Sequence, residues 1–243
     1  MTRLGMLTPS SNTVLEPATV AMLAGLPDVS VHFSRFTVTE IALTQQSLGQ
    51  FDLTGILRVA DLLAHARVAT IAWNGTSASW LGYDSDERLC AAIQSATGIP
   101  ACTSILAFRE IFRRTGLRRL GLVTPYIDEV QRRIIANWTA DGITVTAERH
   151  SGLQENFAFS EVPESEVAEM IRAVAREGCD AVAVLCTNMR GAALAECLEQ
   201  ELGVPIYDSV ATSLWTALRT AGVDPTRIKG WGALFRDPAL SAL

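Results

Sequence analysis

The chain has 243 residues, 49% of them hydrophobic and 19% charged, a balance that supports one large or two small globular domains and excludes intrinsic disorder. Its net charge of −6 argues against nucleic acid or an anionic membrane as partner, and no apolar run approaches the roughly 20 residues of a membrane span. Five cysteines without CxxC spacing fit reduced thiols, and the first strand begins by Leu4, so the expectation is a cytoplasmic protein with no signal peptide.

Short β-rich runs alternate with longer stretches of helical period, the pattern of parallel sheets covered by helices. Strands are predicted over residues 3–8, 29–33, 68–73, 120–124, 144–148 and 181–185. Between them, Ile56, Val59, Ala60 and Leu63 fall at i, i+3, i+4 and i+7, as do Val167, Met170, Ile171 and Val174, and both stripes read as core faces. The first helix should start at a capping box of Thr13 and Glu16, or at Pro17, with Ser77, Asp128 and Asn188 as caps after later strands.

Three landmarks recur in the same order. Leu4-Gly5-Met6-Leu7-Thr8-Pro9 returns as Leu120-Gly121-Leu122-Val123-Thr124-Pro125, and Ile71-Ala72-Trp73-Asn74-Gly75-Thr76 as Val182-Ala183-Val184-Leu185-Cys186-Thr187. Gly98-Ile99-Pro100 with Ser104 is answered by Gly203-Val204-Pro205 with Ser209. The slowly drifting offset is that of a duplicated unit with unequal loops. The expected fold is therefore α/β, with two pseudo-symmetric flavodoxin-like domains, each on a parallel sheet. Residues 1–104 and 209–243 would form the first domain and residues 105–208 the second. Open α/β sheets bind ligands at the carboxyl ends of their strands, so the site should lie in the cleft between them.

Phosphate and dinucleotide motifs are absent, and His32, His65 and His150 are scattered rather than paired at metal-ligand spacing. Neither a cofactor nor a metal is expected. What gathers at the strand ends is a set of small donors: Ser10, Ser11 and Asn12; Asn74, Gly75, Thr76 and Ser77; Tyr126; Cys186, Thr187 and Asn188. Hydroxyls, amides and helix-start N–H groups suit a carboxylate, and the same donors could hold an enediolate as charge develops. The expected partner is a small mono- or dicarboxylate; homo-oligomerisation is left open.

Cys186 ends an apolar run at an expected strand-to-helix junction, where a thiol is activated and near solvent, whereas Cys90, Cys179 and Cys197 lie in helical or apolar surroundings and Cys102 enters a short strand. The turns Thr8-Pro9-Ser10-Ser11-Asn12, Asn74-Gly75-Thr76-Ser77-Ala78-Ser79, Thr124-Pro125-Tyr126-Ile127-Asp128 and Leu185-Cys186-Thr187-Asn188 together resemble the aspartate/glutamate racemase superfamily, in its branch of maleate cis-trans isomerases and arylmalonate decarboxylases. In the racemases and isomerases of that superfamily each half supplies a cysteine. Here Gly75 stands at the first position, as glycine does in arylmalonate decarboxylases. By that resemblance Thr76, Ser77 and Tyr126 would cradle a carboxylate and Cys186 would protonate one face of an enediolate. Ser10-Ser11-Asn12 is closer to the isomerase carboxylate-binding turn, and Thr187 replaces the glycine expected after a decarboxylase cysteine.

The leading expectation is a cofactor-independent decarboxylase of a malonate-type diacid, with Leu43, Leu81, Phe157 or Phe159 as an apolar wall. The alternatives are a maleate isomerase or racemase acting on a small dicarboxylate, and a non-catalytic carboxylate-binding protein.

Overall fold

The computed structural model describes residues 1–44, 47, 49–50 and 52–241. Two four-stranded parallel sheets make up its frame. The first contains β1 (Thr2–Pro9), β2 (Val29–Phe36), β3 (Thr70–Trp73) and β4 (Ala101–Thr103) in the order β2-β1-β3-β4. The second contains β5 (Arg119–Thr124), β6 (Thr144–His150), β7 (Ala181–Val184) and β8 (Ile206–Asp208) in the order β6-β5-β7-β8. The two orders are the same topology used twice. In each sheet the connection reverses direction between the two central strands, which leaves a crevice at their carboxyl ends.

The repeated Leu-Gly landmark has a packing cause. A Cβ on Gly121 would stand 2.7 Å from Cγ2 of Val174, and one on Gly5 would stand 3.0 Å from Cγ2 of Val68. Glycine at the same point of β1 and β5 lets the covering layer close onto each central strand. The stripes read from the sequence face inward: Ile56, Ala60 and Leu63 are buried on α2 (Leu53–His65), and Val167, Ile171 and Val174 on α7 (Glu164–Ala175), where α3 to α6 are Ala78–Leu81, Tyr83–Thr97, Ser104–Thr115 and Asp128–Ala140.

Two helices tie the halves together. Helix α9 (Ser209–Thr220), which follows α8 (Ala195–Leu202), packs against β3 and β4 of the first sheet. Helix α5 packs along α9 and sends Phe108 and Phe112 onto Trp138 of α6, with ring centroids 6.0 and 5.6 Å apart. At their starts the Ser104 hydroxyl donates to the Ser209 carbonyl at 3.2 Å, so the repeated serines meet. Among the described residues no helix is long and apolar enough to cross a membrane.

Several local expectations need correction. Strands β4 and β8 are missing from the predicted strands, although the short strand expected at Cys102 is β4; with three residues each they are too short to show an alternation. The first helix, α1 (Leu15–Met22), is capped neither by Thr13 nor by Pro17: the Asn12 side chain accepts from the N–H groups of Val14 and Leu15 at 3.0 and 2.9 Å. Ser77 precedes α3 without a side-chain cap bond, and Asp128 is the first residue of α6 rather than its cap. After β7 there is no helix start at Asn188. The chain makes an irregular turn before a short 3-10 segment at Ala192–Leu194.

Candidate active site

The turns after the four central strands bond to one another across the seam. Thr76 Oγ1 of the first half lies 2.6 Å from the Tyr126 hydroxyl of the second. The Thr187 hydroxyl of the second half donates to the Asn74 carbonyl at 2.8 Å and accepts from Asn12 Nδ2 at 3.1 Å. The two contacts are related by the duplication: Thr76 answers Thr187, and each reaches the turn after the opposite half's first strand. Asn188 Oδ1 adds a bond from the Thr13 N–H at 2.9 Å.

A cavity of about 20 Å³ remains inside this seam, lined by Pro9, Val38, Ile41, Asn74, Gly75, Thr76, Ser77, Trp80, Tyr126, Asn156, Cys186 and Thr187. Cys186 and Gly75 thus border one small space. Among the described residues no charged side chain lines it, and the polar lining consists of neutral hydroxyls, amides and a thiol. Ser10, Ser11, Asn12 and Asn188 are not brought to it. Ser11 instead donates to the Val38 carbonyl at 2.7 Å and accepts from Asn156 Nδ2 at 2.8 Å, Ser10 also bonds Val38, and Asn12 and Asn188 hold the turns together. Nor do the four residues expected as an apolar wall line it. Leu81 and Phe157 are exposed, Leu43 is half-buried, and Phe159 supports the Tyr126 ring edge-on at 5.5 Å. The apolar wall is Pro9, Val38, Ile41 and Trp80.

The roof comes from two long excursions, after β2 and after β6. Ile41 N–H donates to the Gln154 carbonyl at 2.9 Å and Asn156 N–H to the Thr39 carbonyl at 2.8 Å, forming an antiparallel bridge. Asn188 Nδ2 fixes the Asn156 carbonyl from below at 2.6 Å. These residues carry no motif in the sequence.

Cys186 is 4% exposed, not the near-solvent thiol expected of a strand-to-helix junction. Burial pushes its thiol up to about 12, and the Asp208 charge adds to the rise. The Asn188 N–H, 3.4 Å from the sulfur, and the Tyr126 hydroxyl act in the opposite sense. Without a helix start at residue 188 the activating dipole is missing. Tyr126 is 2% exposed and burial raises its phenol well above its ordinary value, so it stays a neutral donor. Asp208, buried at the end of β8 where it pairs with Val184 of β7 and carrying no motif in the sequence, is raised to about 7 by desolvation although it caps Val210 and Ala211.

Among the described residues no group of three or more His, Cys, Asp or Glu side chains could hold a metal ion. His150 is occupied with Glu148 and Asp128, each at 2.7 Å. Of the other cysteines, Cys102 and Cys179 are buried, Cys90 is half-buried, and Cys197 is exposed on α8 rather than sequestered.

Two duplicated parallel-sheet halves meeting over a cysteine define the two-lobed α/β class to which the sequence motifs pointed. More narrowly, a family model described as Arylmalonate decarboxylase matches residues 4–235, so the chain belongs to the arylmalonate decarboxylase family. The chain is 29% identical to the arylmalonate decarboxylase of Bordetella bronchiseptica over 188 residues, covering 74% of this chain and 78% of the relative. It is 25% identical to a maleate isomerase of Nocardia farcinica (strain IFM 10152) over 252 residues, covering 99% and 98%. A double mutant of arylmalonate decarboxylase, solved in its liganded form, superposes with a TM-score of 0.85 at 25% identity, covering 98% of this chain and 100% of that one. The family is thus one of enzymes, with a decarboxylase and an isomerase among the relatives.

Proposed function

We propose that the chain is a cofactor-independent decarboxylase of a malonate-type dicarboxylic acid, in which Cys186 is the sole proton donor to the substrate. The observation that carries this reading is the buried thiol, raised to about 12, sharing an uncharged cavity with a residue that has no side chain. Thr76, Ser77 and Tyr126 hold one carboxylate of the substrate. The other lies against Pro9, Val38, Ile41 and Trp80, where water is excluded and a full negative charge is poorly supported, so its departure as CO₂ is favoured.

Heterolysis of the bond between the α-carbon and the departing carboxylate leaves its electron pair on the α-carbon, delocalised into the remaining carboxylate as an enediolate. The hydroxyls of Thr76 and Tyr126 stabilise the charge that develops on those oxygens. The S–H of Cys186 then protonates the α-carbon, and the strongly basic thiolate left behind takes a proton from water when the product leaves. A space of about 20 Å³ holds roughly one water molecule, so the substrate enters only when the roof over residues 39–41 and 154–156 lifts.

Maleate isomerisation is the second reading, favoured by the isomerase relative that matches along nearly the whole chain. It calls for a thiolate adding to an alkene. Burial, which pushes the thiol up to about 12, keeps it protonated near neutral pH and so disfavours the thiolate that such an addition needs. A non-catalytic carboxylate binder, the third reading, would bind without turnover. Incubation of the purified chain with substituted malonates, following CO₂, and with maleate, following fumarate, separates all three. CO₂ release without fumarate formation is expected; fumarate alone, or neither product, would overturn the proposal.

A further inference from the structure

We infer that Trp73 is the residue that closes the face opposite Cys186: its indole occupies the volume a residue-75 side chain would enter, so this face admits no second acid–base group while the ring is in place. A Cβ built on Gly75 would lie 2.6 Å from Cε2, 2.7 Å from Cζ2 and 2.7 Å from Nε1 of Trp73. Those atoms belong to the body of a fused ring, not to the tip of a flexible chain, and relief requires the whole ring to move. Trp73 is 1% exposed, stacks on Phe36 with centroids 4.3 Å apart, and its backbone is held by pairing to Leu7 on one side and Thr103 on the other.

Backbone strain is not the cause, since Gly75 is not among the glycines with positive φ. The two halves differ at one informative place. The counterpart of Trp73 is Val184, and two residues beyond this smaller side chain the chain carries Cys186. A large residue at the end of β3 goes with no side chain two positions on; a small one at the end of β7 goes with a thiol. The asymmetry of the site therefore extends beyond one substitution: Trp73 and Gly75 form a coupled pair. The indole also lines a second cavity of about 210 Å³ together with Leu53, Ile56, Ser77, Leu81 and Asp86, so the ring meets both that space and the volume beside Gly75.

The consequence for chemistry rests on the decarboxylase reading above, but the steric claim does not, and the experiment separates them. Four variants are compared by thermal unfolding: Gly75→Ala, Gly75→Cys, Trp73→Val, and Trp73→Val combined with Gly75→Cys. Overpacking at residue 75 is expected to lower Tm by roughly 5 °C in the parent. Adding Gly75→Cys to Trp73→Val should lower it no further. Gly75→Ala or Gly75→Cys as stable as the parent would overturn the inference, and this comparison does not depend on whether the Trp73 variants fold. The same proteins are assayed for α-proton exchange into an α-substituted carboxylic acid in D₂O. Exchange gained by the double variant and by neither single variant is expected. Exchange by Gly75→Cys alone would overturn the role given to Trp73. Stability coupling without any exchange would uphold the steric pair and count against the proton-delivery reading on which its chemical consequence rests.

Discussion

Replacing Tyr126 by Phe removes one oxygen at the centre of the seam. That oxygen lies 2.6 Å from Thr76 Oγ1 and against the Cys186 sulfur, in a residue only 2% exposed. The ring itself stays seated edge-on against Trp80 at 5.3 Å and Phe159 at 5.5 Å, so packing is retained. The loss leaves the buried Thr76 hydroxyl without this partner, a defect that costs about 1–3 kcal/mol and lowers Tm by about 2–12 °C for a chain of this size. Turnover should suffer more, because a donor aimed at a developing oxyanion contributes about 10²–10³ in rate. Pairing Tyr126→Phe with Thr76→Val makes both sides apolar, which should restore much of the stability and none of the activity. CO₂ release by Tyr126→Phe within about threefold of the parent, in a folded protein, would refute the assignment of Tyr126 to the carboxylate cradle.

Further outcomes follow from the same geometry. Cys186→Ala should bind a malonate with affinity close to the parent's while product formation falls by about 10²–10⁴, the range for loss of a positioned general acid; turnover within tenfold of the parent would remove the thiol from the chemistry. Asp208, raised to about 7 from 3.8, holds its proton in the folded state across that interval, so the stability it contributes is complete below about pH 4 and is lost as pH rises through about 7. Asp208→Asn keeps an oxygen to cap Val210 and Ala211 and should flatten the decline of Tm over that window; an unchanged profile would show that Asp208 does not titrate there. Ligand binding should slow hydrogen exchange at the amides of Ile41 and Asn156, which bridge the two roof segments, and equal exchange with and without saturating malonate would mean that the roof plays no part in closure.

What could be read in advance was whatever depends on short-range pattern. The repeat of Leu4-Gly5 at Leu120-Gly121, and of Ile71 to Thr76 at Val182 to Thr187, is visible because each copy builds the same strand and turn, and the structure brings Asn74, Gly75, Thr76, Ser77, Tyr126, Cys186 and Thr187 to one cavity. The environment of the thiol was not legible. It is set by the irregular turn after β7 and by the roof, and Val38, Ile41 and Asn156 reach the cavity from segments more than 20 residues away from any of the motif turns they cover or from the opposite half of the chain. Such non-local closure leaves no periodicity. Likewise Asn12 could not be told from Thr13 as the cap of α1, since both are short polar residues and only the backbone angle at the turn decides between them. Trp73 read simply as the end of a strand, because a clash with a side chain that is not there leaves no mark in the sequence.

Product stereochemistry puts proton delivery itself on view. A malonate carrying two different α-substituents, turned over in D₂O, should yield a monoacid with one α-deuterium and a single handedness if, as proposed, the Cys186 thiol alone delivers the proton and does so from one side of the planar intermediate. A racemic acid, formed at the enzyme's rate and shown to be stable once released, would contradict that arrangement.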